Sequence, residues 1–140
     1  MSTAHVEQTT TSSIETVRQG LEAFLRGDVP YILERIAEDC QWSGSMGSDV
    51  PYAGQFTGPQ GALQFLEAIG ANLDIQTFEF DRYVGDGEHV VALGRWSGTV
   101  RKNGKPYDSR LALAFQVRDG KFLSFVGYED TAIMAAAVRG

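Results

Sequence analysis

The chain has 140 residues, 43% of them hydrophobic, with a net charge of −6 and a single cysteine. That length builds one domain with its own core, and no apolar run is long enough to cross a bilayer. The acidic balance, without any Lys/Arg cluster, argues against a nucleic-acid surface. Cys40 alone allows no internal disulfide and suits a reducing, cytoplasmic setting; at a junction between elements it reads as a buried structural thiol. Residues 1–11 lack the basic start and apolar centre of a signal peptide. They are expected to form a disordered tail ahead of a single domain over residues 12–140.

Ser12-Ser-Ile-Glu15 fits a capping box that would start a helix, and Val17, Leu21, Phe24 and Leu25 then share one face. Gly27 can take the left-handed conformation that ends it, and Asp28 can cap a second helix with Pro30 in its first turn. Ile32, Leu33, Ile36 and Ala37 would be that helix's buried stripe, giving an angled helix pair. Gln41-Trp42-Ser43 reads as a short strand, 44–49 as a small-residue loop and Pro51 to Phe56 as an edge segment. Thr57-Gly58-Pro59 opens a third helix carrying Leu63, Phe65, Leu66 and Ile69, which Gly70 and Asn72 close.

Long strands follow. Ile75 to Val84 puts Phe78 and Phe80 on one face. His89 to Arg101, Pro106 to Val117 and Lys121 to Tyr128 form a meander, its two hairpins marked by Asn103-Gly104 and Asp119-Gly120. Asp130 caps a short last helix from Thr131 to Val138. The class is α+β, with helices packed on one face of a curved antiparallel sheet.

Turn chemistry sets register, and register sorts side chains into faces. A two-residue turn at Asn103-Gly104 pairs Trp96 with Leu111 and Gly94 with Leu113. A three-residue turn ending in Gly120 then places Phe125, Gly127 and Glu129 on the same face; a two-residue turn would place Val126, Tyr128 and Asp130 there instead. The inner face therefore carries Trp96, Leu111, Leu113, Phe115 and Phe125, interrupted by Gly94, Gly98 and Gly127. Aromatics alternating with glycines leave room for a cavity, the alternative being a filled core. The outer face mixes Leu93, Ala112, Ala114, Val126 and Tyr128 with Arg95, Arg110 and Asp108. Small mixed side chains suit a self-complementary homodimer contact, the alternative being a solvated sheet. Arg95, Arg110, Ala112, Ala114 and Tyr128 are the expected contact residues.

Several short motifs, in order, resemble the SnoaL-like (polyketide cyclase-like) branch of the ketosteroid isomerase and nuclear transport factor 2-like superfamily. They are Leu25-Arg-Gly-Asp28 with Ile36-Ala-Glu-Asp39, Asp49-Val-Pro-Tyr-Ala-Gly54 with Gly58-Pro-Gln-Gly61, Val90-Val-Ala-Leu-Gly94, Phe115 to Lys121, and Tyr128-Glu-Asp130. The resemblance implies a cone-shaped α+β barrel closed on a deep pocket, in a homodimer that binds a small hydrophobic molecule without a cofactor. Ketosteroid isomerases pair a carboxylate base with a tyrosine and a protonated aspartate. The matching positions are Gly44 for the base, Gly20 for the tyrosine and Leu113 for the acid, with Leu66 replacing a second tyrosine. None can move a proton. Leu113 also stands where cyclase relatives often carry a histidine, and the arginine and paired aspartates of limonene-epoxide hydrolase-like members have no match at pocket-facing positions.

The polar groups that remain are few. Glu129, inward on an apolar face, is the first candidate for a general acid or base, and Asp49, in the loop over the mouth, is the second. Phe24, Trp42, Tyr52, Phe65, Trp96, Leu111, Leu113 and Phe125 are the expected substrate-binding residues. Tyr31 is expected at the rim or in packing. His5 and His89 have no third partner in register, so no metal is expected. Three readings remain: an acid–base enzyme (an isomerase, cyclase or hydrolase) on a small hydrophobic cyclic molecule, a non-catalytic small-molecule binding dimer, or, if the cavity is filled, a purely structural or interaction dimer.

Overall fold

A computed structural model describes residues 3–44 and 50–140, with side chains from Val6 onward. Helices α1 (Thr3–Leu25) and α2 (Val29–Leu33) precede strand β1 (Ile36–Ser43). Strand β2 (Gln55–Thr57) and helix α3 (Gly58–Asn72) follow. Then come β3 (Leu73–Asp86), β4 (His89–Val100), β5 (Pro106–Arg118), β6 (Lys121–Glu129) and helix α4 (Thr131–Arg139). The sheet order is β2-β1-β6-β5-β4-β3; every pair is antiparallel except β1 with β6. Val17 and Leu21 of α1 and Ala62, Phe65 and Ile69 of α3 are buried with Trp96, Leu113, Phe115 and Phe125 of the strands in one apolar core. No described helix is long and apolar enough to cross a membrane.

Local signals place most boundaries. Asp28 caps α2, its carboxylate accepting the Tyr31 amide at 3.2 Å, and Asp130 caps α4 by accepting from Ala132 and Ile133. Gly27 takes φ 73° where α1 ends. Cys40 is fully buried, and burial, followed by the neighbouring Asp39 carboxylate, pushes its thiol up to about 11. Such a thiol is unreactive.

Two boundaries differ from expectation. The first helix begins at Thr3, not at Ser12, and takes in most of the stretch expected to be a tail. Tertiary contact overrides the weak helix preference of its threonines. Thr10 Oγ1 accepts the Gly87 amide at 2.7 Å, and its methyl, with Ile14, covers Gly85. The second helix stops at Leu33, so Ile36 and Ala37 belong to β1. The backbone there is already committed to β6. The Phe122 amide donates to the Arg35 carbonyl at 2.7 Å, and Lys121 Nζ to the Glu34 carbonyl at 2.6 Å.

Both hairpins keep the expected faces in different registers. The β4–β5 turn spans four residues, so Gly94 faces Leu111, Trp96 faces Ser109 and Gly98 faces Tyr107, two residues from expectation. A slip of two changes partners but not faces. In β5–β6 the turn is a two-residue one, with positive φ at both Asp119 (51°) and Gly120 (75°) and Arg118 opposite Lys121. That turn alone would have turned Glu129 outward. A bulge beyond Val117–Phe122, with Leu123 the extra residue, restores the parity and puts Phe125 opposite Phe115, Gly127 opposite Leu113 and Glu129 opposite Leu111. The inward face was right and the turn was wrong.

The glycines of β4 also have another purpose than expected. A side chain at Gly94 would run into the Glu79 carbonyl, and one at Gly98 into the Asp74 carbonyl. Both sit where β3 shifts register against β4, so they admit a close backbone approach and do not open a cavity. Of the three inner-face glycines only Gly127 lines the interior space.

Candidate functional site

The concave face of the sheet and helices α1 and α3 leave a cavity of about 80 Å³ between them. Its wall is a train of aromatic rings. Trp42 stacks on Phe125 (centroids 4.4 Å) and meets Phe65 edge-on at 5.8 Å; Phe65 meets Tyr52 at 6.0 Å, and Tyr52 meets Trp96 at 5.9 Å. Alternation along β4, β5 and β6 delivers Trp96, Leu111, Leu113 and Phe125 to it, while the helical spacing of α1 and α3 delivers Phe24 and Phe65.

Among the described residues, one acidic side chain stands in this apolar wall. Glu129, half-buried at the end of β6, accepts a hydrogen bond from the Tyr52 hydroxyl at 2.5 Å, and Tyr52 itself is only 2% exposed. A contact that short is the signature of a charge-assisted O–H···O bond. Ser109 holds the strand end in place: its buried hydroxyl accepts the Asp130 amide at 3.2 Å and donates to the Arg110 carbonyl at 3.0 Å. Tyr107, beneath Trp96, feels the same carboxylate. Burial first, then the negative charges of Glu129 and Asp74, push its hydroxyl up to about 12.

Among the described residues, three buried donors have no hydrogen-bond partner: Trp42 Nε1, Trp96 Nε1 and the Tyr107 hydroxyl. Each such group costs about 1–3 kcal/mol, so two on a cavity wall call for an explanation. Among the described residues no group of three His, Cys, Asp or Glu side chains could hold a metal.

The positions matched to an isomerase catalytic set all reach the cavity, and they are closed rather than vacant. Gly20, Gly44, Leu66 and Leu113 line it. A side chain at Gly44 would collide with the Tyr52 carbonyl and come within 2.8 Å of Phe65, while one at Gly20 would begin 2.9 Å from Phe122 Cζ. Phe122 and Tyr52 fill the space that a tyrosine and a carboxylate would need.

The eight residues expected to contact substrate all line this one cavity, and Glu129 joins them. Asp49, the other acid–base candidate, lies outside the described residues. On the outer face Arg95 and Arg110 are exposed and opposite each other, Arg95 pairing with Asp108 at 3.2 Å. Ala112 and Ala114 are half-buried, and Tyr128 is 59% exposed opposite Ala112. Tyr31, half-buried, bonds Gln19 and carries the Arg35 guanidinium 3.5 Å above its ring.

Three features had no local signal. The Tyr52–Glu129 bond joins residues 77 positions apart, Ser109 acts only through the chain it meets across the sheet, and Phe122 fills the Gly20 site from the far end of the sequence. The only hint was Tyr52 itself, a tyrosine beside a loop expected over the pocket mouth.

Comparison with known proteins agrees with this architecture. An NTF2-like protein from Burkholderia xenovorans superposes with a TM-score of 0.84 at 27% identity, covering 92% of this chain and 97% of that one. TerC, co-crystallised with polyporic acid, superposes at 0.80 and 21% identity, covering 91% and 98%, a likeness of fold. Patulin synthesis protein F from Aspergillus clavatus is 29% identical over 119 residues, 79% of this chain but only 60% of that protein's length. The SnoaL-like domain model matches residues 17–125. With that match running through both helix α1 and the strands that build the cavity, the chain belongs to the SnoaL-like family.

Proposed function

We propose that this protein is a small acid–base enzyme that moves a proton on a small, hydrophobic, cyclic carbonyl compound, with Glu129 as the group that takes and returns it. The observation that carries this reading is the Tyr52 hydroxyl bonded to Glu129 at 2.5 Å in a wall otherwise made of rings and aliphatic side chains. A carboxylate there can accept a proton from a carbon made acidic by a neighbouring carbonyl and hand it to another atom of the same molecule, the net result being an isomerisation or ring closure. Tyr52 holds the carboxylate in place before it takes the proton and after it has handed the proton on. The size of the space limits the ligand. At about 80 Å³ it is near half the roughly 150 Å³ that admits benzene in an engineered cavity, so one ring fits only as the wall yields slightly, and a fused polycycle does not.

The test uses 2-cyclohexen-1-one in D2O, following exchange of its acidic C–H positions by NMR. Exchange faster than buffer with the native protein, falling about 100-fold or more in Glu129→Gln, supports proton transfer by this carboxylate. Equal exchange in both proteins, or none above buffer, removes it.

A second reading, a binding domain without turnover, draws on the closed state of Gly20 and Gly44 and the inert Leu66 and Leu113. It predicts that Glu129→Gln binds the same ring as tightly as the native protein while neither exchanges it. Under either reading we propose a homodimer through the outer sheet face. Leu93 stands opposite Ala112 and Val91 opposite Ala114, with Val126 and Tyr128 beside them on β6, a flat apolar strip between charged ends.

A further inference from the structure

We infer that the two indole N–H groups, Trp42 Nε1 and Trp96 Nε1, are the ligand's oxygen-holding donors, so that the cavity selects an oxygenated ring over a hydrocarbon of the same shape. This rests on reading the cavity as a small-molecule site, but not on Glu129 acting as a base. Both indoles are more than nine-tenths buried, both line the cavity and neither nitrogen has an acceptor. An indole N–H can only donate, so nothing but an acceptor satisfies it. Among the described residues, the ring contacts of Trp42 are Phe65 and Phe125, which have no acceptor, and those of Trp96 are Tyr52 and Tyr107, neither of whose hydroxyls accepts from the indole nitrogen. The missing acceptor must come from the occupant.

Water is the competing occupant, and the space would hold several molecules. A buried water, however, needs two to four polar partners. One bonded to either indole would turn its remaining bonds toward aromatic faces, with the Tyr52–Glu129 pair as the main exception. A ring bearing a carbonyl or hydroxyl oxygen meets both demands at once. Its oxygen accepts from an indole, and its carbon frame takes the apolar wall. The two tryptophans end an arc of edge-to-face contacts running through Phe65 and Tyr52, and Glu129 sits beside Tyr52 near the Trp96 end. A ligand lying along this arc can offer one oxygen to each end and still present a C–H or O–H to the carboxylate.

The chain has only two tryptophans, so its ¹⁵N-labelled form shows two indole N–H resonances, one per site. Titration of the full chain with 2-cyclohexen-1-one, which carries one oxygen, is expected to move at least one of the two resonances downfield, whereas cyclohexene moves neither and binds more weakly. Replacing both tryptophans by 3-benzothienylalanine keeps the ring shape and removes only the N–H. It should lower affinity for the enone by roughly 3- to 10-fold per donor and leave cyclohexene affinity unchanged. Trp42→Phe and Trp96→Phe assign the resonances. Equal affinity for enone and cyclohexene, unmoved indole signals, no binding of either ring, or undiminished enone affinity in the benzothienyl protein would each overturn the proposal. The proton-transfer reading fails separately: in that case the indole shifts persist while C–H exchange does not exceed buffer.

Discussion

The carbonyl of Tyr52 occupies the place where a side chain at Gly44 would begin. The residue that donates to Glu129 is thus the residue whose backbone forbids an acid at Gly44, and the Gly44 amide, donating to the Gly54 carbonyl at 2.9 Å, fixes the two segments together. Gain of a carboxylate at Gly44 and retention of the Tyr52–Glu129 pair are mutually exclusive in this backbone. Gly44→Ala is expected to lose stability at or beyond the usual overpacking cost of about 1–3 kcal/mol, and Gly44→Asp to lose more without acquiring steroid isomerase activity. Gly70→Ala is the contrast. With open space around it in α3, it should raise stability by about 0.5–1 kcal/mol. Urea unfolding of the three variants reads both effects, and a Gly44→Asp protein as stable as the native one would contradict them.

Tyr52→Phe removes one hydroxyl from the wall and leaves the ring contacts with Phe65 and Trp96 intact. The Glu129 carboxylate then loses a short charge-assisted bond inside an apolar wall, at a cost of about 1.5–3 kcal/mol. If Tyr52 holds the carboxylate in the orientation that reaches the substrate, C–H exchange of the enone should fall about tenfold or more while its affinity changes little. Exchange that survives unchanged would leave the hydroxyl a purely structural role.

The scaffold was legible because its signals are local or periodic. Asp28 and Asp130 cap the helices they precede, and alternation along β4, β5 and β6 sorted inner from outer residues even where the register slipped by two. Glu129 was reached through compensating errors: a three-residue turn was expected, and a two-residue turn with a bulge at Leu123 gives the same face. Bulges depend on how a strand must coil against its neighbours, which no window of sequence displays. The glycines misled for the same reason. Gly94 and Gly98 read as gaps for a ligand, but they answer to carbonyls of a different strand. Partners of the site are non-local, and only the folded chain brings Tyr52, Ser109 and Glu129 together.

Ala112 lies at the centre of the outer strip, opposite Leu93 on one side and Tyr128 on the other. A carboxylate there would be buried against its own copy in a twofold contact, with a like charge across the axis. Ala112→Glu is expected to sediment as a monomer, whereas Asp108→Ala, at the charged end beside Arg95, should leave the assembly intact. A dimer that persists in Ala112→Glu rules out this face.

Alkaline pH probes the interior through Cys40 and Tyr107. In the fold, burial first and nearby carboxylates second push the thiol from 9 to about 11 and the phenol from 10 to about 12. Both groups are neutral when protonated, and in the unfolded chain both ionise near their ordinary values. Above pH 9 the unfolded chain therefore releases protons that the folded chain keeps, and stability falls as pH rises. The contribution is fully present below about pH 9, is lost for the thiol by the time pH passes about 11, and is lost for the phenol by about 12. Two pH units of displacement correspond to about 2–3 kcal/mol for each group at full titration. Urea midpoints measured from pH 8 to 11.5 should decline steeply in the native protein. Cys40→Ala should flatten the lower part of the decline and Tyr107→Phe the upper part. A decline of unchanged slope in Tyr107→Phe would mean that the buried phenol ionises as freely in the fold as in water, contrary to its place beneath Trp96 and beside the charge of Glu129.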